Sequence, residues 1–299
     1  MLSFRNSLFS RPGFAGTSLL QKTGEDPSLL YFLQAICLNA FVYIIMHPAT
    51  ILWPKVPVIF SLLVVFFHPP ALKKPIVWMV LLAYFLFFLV RGYYVVANHH
   101  FVFVYVITAI ILYTIFPKDN TSRLRFHVRW LLALILVLSA LHKLLSPTYM
   151  DGSFFLFQFD MGIFLKPFKL LSADWQQSVK YNLAAYHKIR QAIPGDEISL
   201  QLKSPVKNAW LLAKCSSWLA VLAEFLAGSL IFLKPTSRLS HFVLLLTIAG
   251  IFLFRLETGF LSLLAAMGLL ICPTGYQRFI YLGLILLFIS MMAVQLGLR

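Results

Sequence analysis

Nine runs of apolar residues, most of them without a charged side chain, limit how this chain can fold. They are Ser28–Met46, Val56–His68, Ile76–Val90, Phe101–Phe116, Phe126–Leu145, Ala209–Leu233, His241–Leu256, Gly259–Cys272 and Phe279–Leu298. Only 12% of the residues are charged and 60% are hydrophobic, whereas a soluble domain carries about 25% charged residues. The sequence therefore excludes a soluble enzyme. It predicts an all-α, polytopic integral membrane protein with about eight or nine transmembrane helices.

The charge of the chain is strongly basic, with a formal net charge of +15. With the N-terminus in the cytoplasm, the inside links hold twelve basic residues: Arg5, Arg11, Lys22, Lys73, Lys74, Lys118, Arg123, Arg125, Arg129, Lys234, Arg238 and Arg278. The short outside links hold four: Lys55, Arg91, Arg255 and Arg299. This bias predicts a cytoplasmic N-terminus. Loops that fix the orientation also explain the excess of Lys and Arg over Asp and Glu, so nucleic-acid binding is not needed to account for it. Membrane lipids are the expected partners.

Three segments follow from this pattern. Residues 1–27 are predicted to form an N-terminal segment on the membrane surface. Residues 28–299 are predicted to form a single transmembrane helical domain. Within it, residues 146–208 form a long extracytoplasmic link that is rich in aromatic residues and lysine and should be partly helical. A link of this length without structure would be unusual, so we expect local folding or function there.

A few polar residues lie in or beside the apolar runs, where a charge is costly and invites a functional hypothesis. They are Asn98, His99, His100, His142, Lys143, Glu224, Arg255 and Glu257. With the predicted orientation, six of them lie near the outer face, on the same side as the long link: His99, His100, His142, Lys143, Arg255 and Glu257. This convergence predicts a site on the extracytoplasmic side.

Each candidate also has a structural interpretation. Lys143 could direct its ammonium towards the headgroups, or it could be a general base in apolar surroundings. His99 and His100 could cap a helix at the interface, or carry a proton. Glu224 could be an interhelical hydrogen-bonding group, and Arg255 and Glu257 could form an interfacial ion pair. No cluster of cysteine and histidine indicates a metal site, and no metal is predicted.

Three short segments resemble the HTTM (horizontally transferred transmembrane) domain family, which is related to the membrane region of the vitamin K-dependent gamma-carboxylases. The first is Leu141–Gly152, with Lys143, Tyr149 and Asp151. The second is Asn98–Val104, where His99 matches the histidine of an Asn-His motif. The third is the aromatic-Pro stretch Met161–Phe168.

The resemblance implies that Lys143 is the base that deprotonates a reduced quinone, helped by His99 or His142. It also implies quinol-linked chemistry similar to that of a carboxylase or epoxidase, with a quinone or hydroquinone as cofactor. The 299 residues contain no counterpart of the carboxylases' large lumenal domain, so peptide glutamate carboxylation is not expected.

Two functions are therefore compared. The first is an extracytoplasmic-side pocket for a quinone or other lipophilic ligand. Its predicted ligand-binding residues are Asn98, His100, Tyr149, Asp151, Glu224, Arg255 and Glu257. The second is a non-enzymatic helical subunit of a larger membrane protein complex. A transporter is a weaker third option, since the sequence shows no repeated halves.

Overall fold

The computed structural model describes residues 26–46, 55–91, 98–116, 120–162, 173–191, 202–204, 207–254, 257–273 and 275–297. Within these ranges the chain is helical and contains no strand. Nearly all of the predicted N-terminal surface segment lies outside the described residues. So do Arg255, the side chain of Asn98 and most of the Met161–Phe168 stretch.

The described residues form twelve α-helices and one short 3-10 helix, Pro69–Lys73. The α-helices are α1 (Pro27–Met46), α2 (Lys55–Phe67), α3 (Pro75–Arg91), α4 (Asn98–Ile115), α5 (Asn120–Leu144), α6 (Pro147–Met150), α7 (Ser153–Asp160), α8 (Ala173–Gln191), α9 (Ala209–Leu233), α10 (Arg238–Phe254), α11 (Thr258–Ile271) and α12 (Gly275–Gly297). Each apolar run coincides with one of nine helices, and α6, α7 and α8 belong to the long link. The predicted all-helical class is confirmed for the described residues.

Among the described residues, four helices are long and apolar enough to cross a membrane, at Pro27–Ile45, Thr121–Leu144, Ala209–Leu233 and Gly275–Val294. Five further apolar helices are shorter, with 10–17 residues. Large apolar side chains remain exposed on the outside, among them Phe67, Leu219 and Phe279. A surface of this kind is unfavourable against water and suits contact with lipid.

Helix α11 forms the centre of the main core. Every residue from Leu261 to Cys272 is buried, because α1, α5, α10 and α12 all pack against this helix. Its sequence is apolar on all sides, as expected for a helix with no outer face.

The ends of α1, α5 and α12 are joined by an ion cluster around Asp26. Its carboxylate pairs with Arg125 and, at 3.3 Å, with Arg278. It also accepts the backbone N–H of Ser28 at 2.9 Å, and so caps a helix that begins at Pro27. Burial raises the pKa of Asp26, but the Ser28 hydrogen bonds and the two arginines outweigh burial and leave that pKa below 3.8.

Helices α5 and α9 approach each other closely, and this contact positions the candidate site. A Cβ atom on Gly228 of α9 would lie 2.9 Å from the carbonyl oxygen of Ala133 on α5. Only glycine fits there without a shift, as is typical of close helix pairs in membranes. The close approach brings the later part of α5 against the middle of α9.

Candidate functional site

A cavity of about 410 Å³ lies between helices α5, α7, α9 and α10. Its walls are mostly apolar, with a few polar groups. The polar lining residues are Ser139, Lys143, Tyr149, Ser216, Glu224, Thr247 and Glu257. A mostly apolar pocket with a few convergent polar groups is the usual form of a small-molecule site.

An ion pair between Lys143 of α5 and Glu224 of α9 lies in the cavity wall. The two residues are 81 positions apart in the sequence and are brought together by the α5–α9 contact. The side chain of Glu224 is only 4% exposed and that of Lys143 is 15% exposed. The lysine ammonium therefore faces a buried carboxylate rather than the surface. It also lies 5.5 Å from the centroid of the Tyr149 ring, a cation–π contact.

The second carboxylate oxygen of Glu224, Oε2, is buried and has no hydrogen-bond donor within the described part of the chain. A buried acceptor without a donor costs about 1–3 kcal/mol, and more when it is charged. Because Glu224 lines the cavity, a molecule in the cavity could supply the missing donor.

The cavity opens towards the apolar outer surface of the helices. Leu219 and Leu222 of α9 and Leu246 of α10 line it, and each is more than half exposed. Side chains on this surface would face lipid in a membrane. A lipophilic molecule could therefore reach the ion pair from the bilayer without crossing water.

The lysine motif continues into α6 and α7, which pack against α9. Tyr149 is buried and stacks on Phe154, with ring centroids 5.3 Å apart. Gly152 has a φ of 91°, and a Cβ there would lie 2.9 Å from the backbone nitrogen of Lys214. The glycine of the motif thus permits both a left-handed turn and a close helix contact.

Asp151 does not line the cavity. Its side chain is exposed and accepts the backbone N–H of Ser153 at 2.8 Å. The hydrogen bonds from Ser153, helped by the charge of Lys214, lower the pKa of Asp151. In this structure Asp151 stabilises the turn before α7, and its predicted ligand contact stays a prediction.

The predicted histidines lie elsewhere. His100 is fully buried, with Nε2 2.8 Å from the carbonyl oxygen of Phe85 and Nδ1 3.2 Å from the hydroxyl of Tyr43. His99 meets the same tyrosine ring edge-on at 5.0 Å. His142 is exposed. None of the three lines the cavity; His142 is the neighbour of Lys143 in the sequence, but its side chain lies on the exposed surface of α5.

Of the remaining predicted residues, Glu257 lines the cavity with an exposed side chain. Arg255 and the side chain of Asn98 lie outside the described residues. The tertiary structure thus assembles Lys143, Tyr149, Glu224 and Glu257 from three separate stretches of the predicted set, since Lys143 and Tyr149 share the Leu141–Gly152 segment.

Three hydroxyl residues of the lining were not predicted: Ser139, Ser216 and Thr247. Ser139 precedes Lys143 by one helical turn, and that spacing could have identified it. The hydroxyl of Thr247 donates to the carbonyl oxygen of Val243 at 2.9 Å, as threonines in apolar helices often do. Nothing in the sequence distinguishes it.

Comparison with known proteins gave no match: no protein-family model, no curated protein and no solved structure matches this chain. Within the described residues, no group of three or more His, Cys, Asp or Glu side chains could hold a metal ion.

Proposed function

We propose that this chain is an integral membrane protein that binds a lipophilic molecule with a polar head in the cavity beside Lys143 and Glu224. The observation that carries the proposal is the buried ion pair in an apolar cavity open to the exposed apolar surface, with one carboxylate oxygen that no donor from the described residues reaches. A ligand hydroxyl would donate to Glu224 Oε2, and a ligand carbonyl would accept from the Lys143 ammonium. Quinones and hydroquinones carry these groups on an apolar body.

We also propose that the chain is related to the HTTM family and that it has the membrane topology predicted from the sequence. The nine apolar helices would give eight or nine crossings, with the N-terminus in the cytoplasm and the cavity towards the extracytoplasmic side. The position of Lys143 and Tyr149 in one cavity wall supports a role for the lysine motif.

General-base chemistry is the second part of the proposal. A lysine ammonium has no free electron pair, so Lys143 must lose a proton before it can accept one. The paired carboxylate can take that proton, which leaves a neutral amine and a neutral acid. Lys143 could then deprotonate a ligand hydroxyl, the step with which quinol-linked carboxylase and epoxidase chemistry begins.

The test is to purify the full chain from its native membrane and to identify bound lipophilic molecules by mass spectrometry. We expect a ligand that is lost in Lys143→Met and Glu224→Gln. The matched control is Lys214→Met, because Lys214 lies on α9 over the ring of Trp210, at 4.9 Å, and outside the cavity. Equal ligand occupancy in all four proteins would refute the proposal. Membrane proteins in fixed stoichiometry and no small molecule would instead favour a non-enzymatic complex subunit.

A further inference from the structure

We infer that Arg129 forms a second binding site, separate from the cavity, for the phosphate of an anionic phospholipid. Arg129 lies on α5, 14 residues before Lys143, which is about 21 Å along a helix axis. It lies eight residues, or about 12 Å, inside the candidate span that begins at Thr121. A charge at this depth is costly unless an anion or the headgroup region compensates it.

No carboxylate of the described chain compensates Arg129. Its neighbour Arg125, one turn earlier, pairs with Asp26, and Asp26 also holds Arg278. The guanidinium of Arg129 lies instead over the ring of Phe126, 5.4 Å from the centroid. Its Nε is buried and has no acceptor within the described ranges. Within the described ranges, Arg129 therefore has an aromatic neighbour but no counter-anion.

A second unsatisfied donor lies in the same cluster of side chains. The indole Nε1 of Trp130 is also buried without an acceptor. Its ring lies 5.9 Å from that of Phe126 and 4.6 Å from that of Phe232 on α9. The cluster thus combines an arginine, an indole N–H and aromatic surface. Tryptophan is enriched at the level of lipid headgroups.

The chemistry of the cluster fits a phosphate oxyanion with an acyl chain attached. An arginine presents two parallel N–H donors that match two phosphate oxygens. The neighbouring aromatic rings and the exposed apolar side chains of α5, such as Leu134 and Leu138, suit acyl chains. A free phosphate would meet the same donors, but it would gain nothing from this apolar surface.

The test measures thermal unfolding of the full chain in a neutral detergent while phosphatidylglycerol, phosphatidylcholine or inorganic phosphate is added. Phosphatidylglycerol should raise the unfolding midpoint in a saturable way, and the other two additions should do so much less. Arg129→Gln should weaken the apparent affinity for phosphatidylglycerol about tenfold, the effect of losing charged hydrogen bonds. Arg129→Lys, which keeps the charge but loses the two-donor geometry, should weaken it less.

The matched control is Arg123→Gln, because Arg123 is exposed on the same helix and carries the same charge. It should change the affinity less than about twofold, as expected for a screened surface charge. Equal losses in Arg123→Gln and Arg129→Gln would overturn the site in favour of diffuse attraction to anionic lipid. An equal response to inorganic phosphate would overturn the lipid assignment.

Discussion

The Lys143–Glu224 pair gives a prediction whose size follows from burial. Breaking a buried ion pair costs about 3–5 kcal/mol, because one charge is left uncompensated. Lys143→Met leaves the Glu224 carboxylate, whose side chain is 4% exposed, without its partner. We therefore expect the free energy of unfolding to fall by about 5 kcal/mol, the upper end of this range. Glu224→Gln leaves an ammonium whose side chain is 15% exposed. Water reaches that ammonium more easily, so we expect the free energy of unfolding to fall by only about 3 kcal/mol.

Removing both charges should be far less harmful than removing one. Met and Leu have volumes similar to those of Lys and Glu. The double variant Lys143→Met/Glu224→Leu should therefore stay within about 1 kcal/mol of the wild type, since apolar replacements of buried pairs are often neutral. These values imply a coupling energy of about 7 kcal/mol between the two positions, above the roughly 0.5–3 kcal/mol usual for residues in contact, because each single variant leaves a buried charge without its partner.

The assay is equilibrium unfolding in mixed micelles with increasing denaturing detergent, followed by far-UV circular dichroism. Arg123→Gln is the control, because Arg123 is exposed on the same helix as Lys143 and should change the free energy of unfolding by no more than about 0.5 kcal/mol. Additive effects at Lys143 and Glu224, or single variants as stable as the wild type, would refute the reasoning.

Three further predictions concern packing and charge. Gly228→Ala should destabilise the chain by about 1–3 kcal/mol, because the new Cβ would lie 2.9 Å from the Ala133 carbonyl oxygen. Gly283→Ala is the control and should leave the stability unchanged, because no atom lies within 4 Å of the new Cβ. Equal unfolding midpoints for the two variants would contradict this explanation. Gly152→Ala should cost at least about 1–2 kcal/mol in the same assay, because φ is 91°; a stable variant would show that the turn can relax. Asp26→Asn should be less stable than the wild type above pH 3.8, because the folded-state pKa of Asp26 lies below that value. The difference should disappear as the pH falls through the lowered pKa, and a difference that persists at lower pH would exclude this cause.

The sequence predicted the helices well because the signal for each lies within its own run. An apolar stretch must satisfy its backbone hydrogen bonds internally in a bilayer, and only a helix does this within one segment. Ser28–Met46 and Ala209–Leu233 accordingly coincide with α1 and α9 to within a residue. The polar, aromatic link between 146 and 208 was expected to be partly helical, and α6, α7 and α8 confirm it.

The site was predicted only in part. Lys143 and Glu224 were both candidates, but they were assigned to different depths and were not expected to pair. The family resemblance implies that His99 helps the lysine; in the structure His99 packs on Tyr43, outside the cavity, and its role stays a prediction. Depth along a span is readable from sequence position, whereas the direction of a side chain around the bundle depends on which helices are neighbours.

The sequence by itself thus determined the membrane-type composition, the helical segments and the presence of a few costly charges, since these are properties of local composition. Only the tertiary structure decided which charges meet. The approach of α5 to α9 at Gly228 brings Glu224 to Lys143. Among the described residues, no donor reaches Glu224 Oε2 and no acceptor reaches Arg129 Nε. These outcomes depend on contacts between residues far apart in the chain, and no local pattern encodes them.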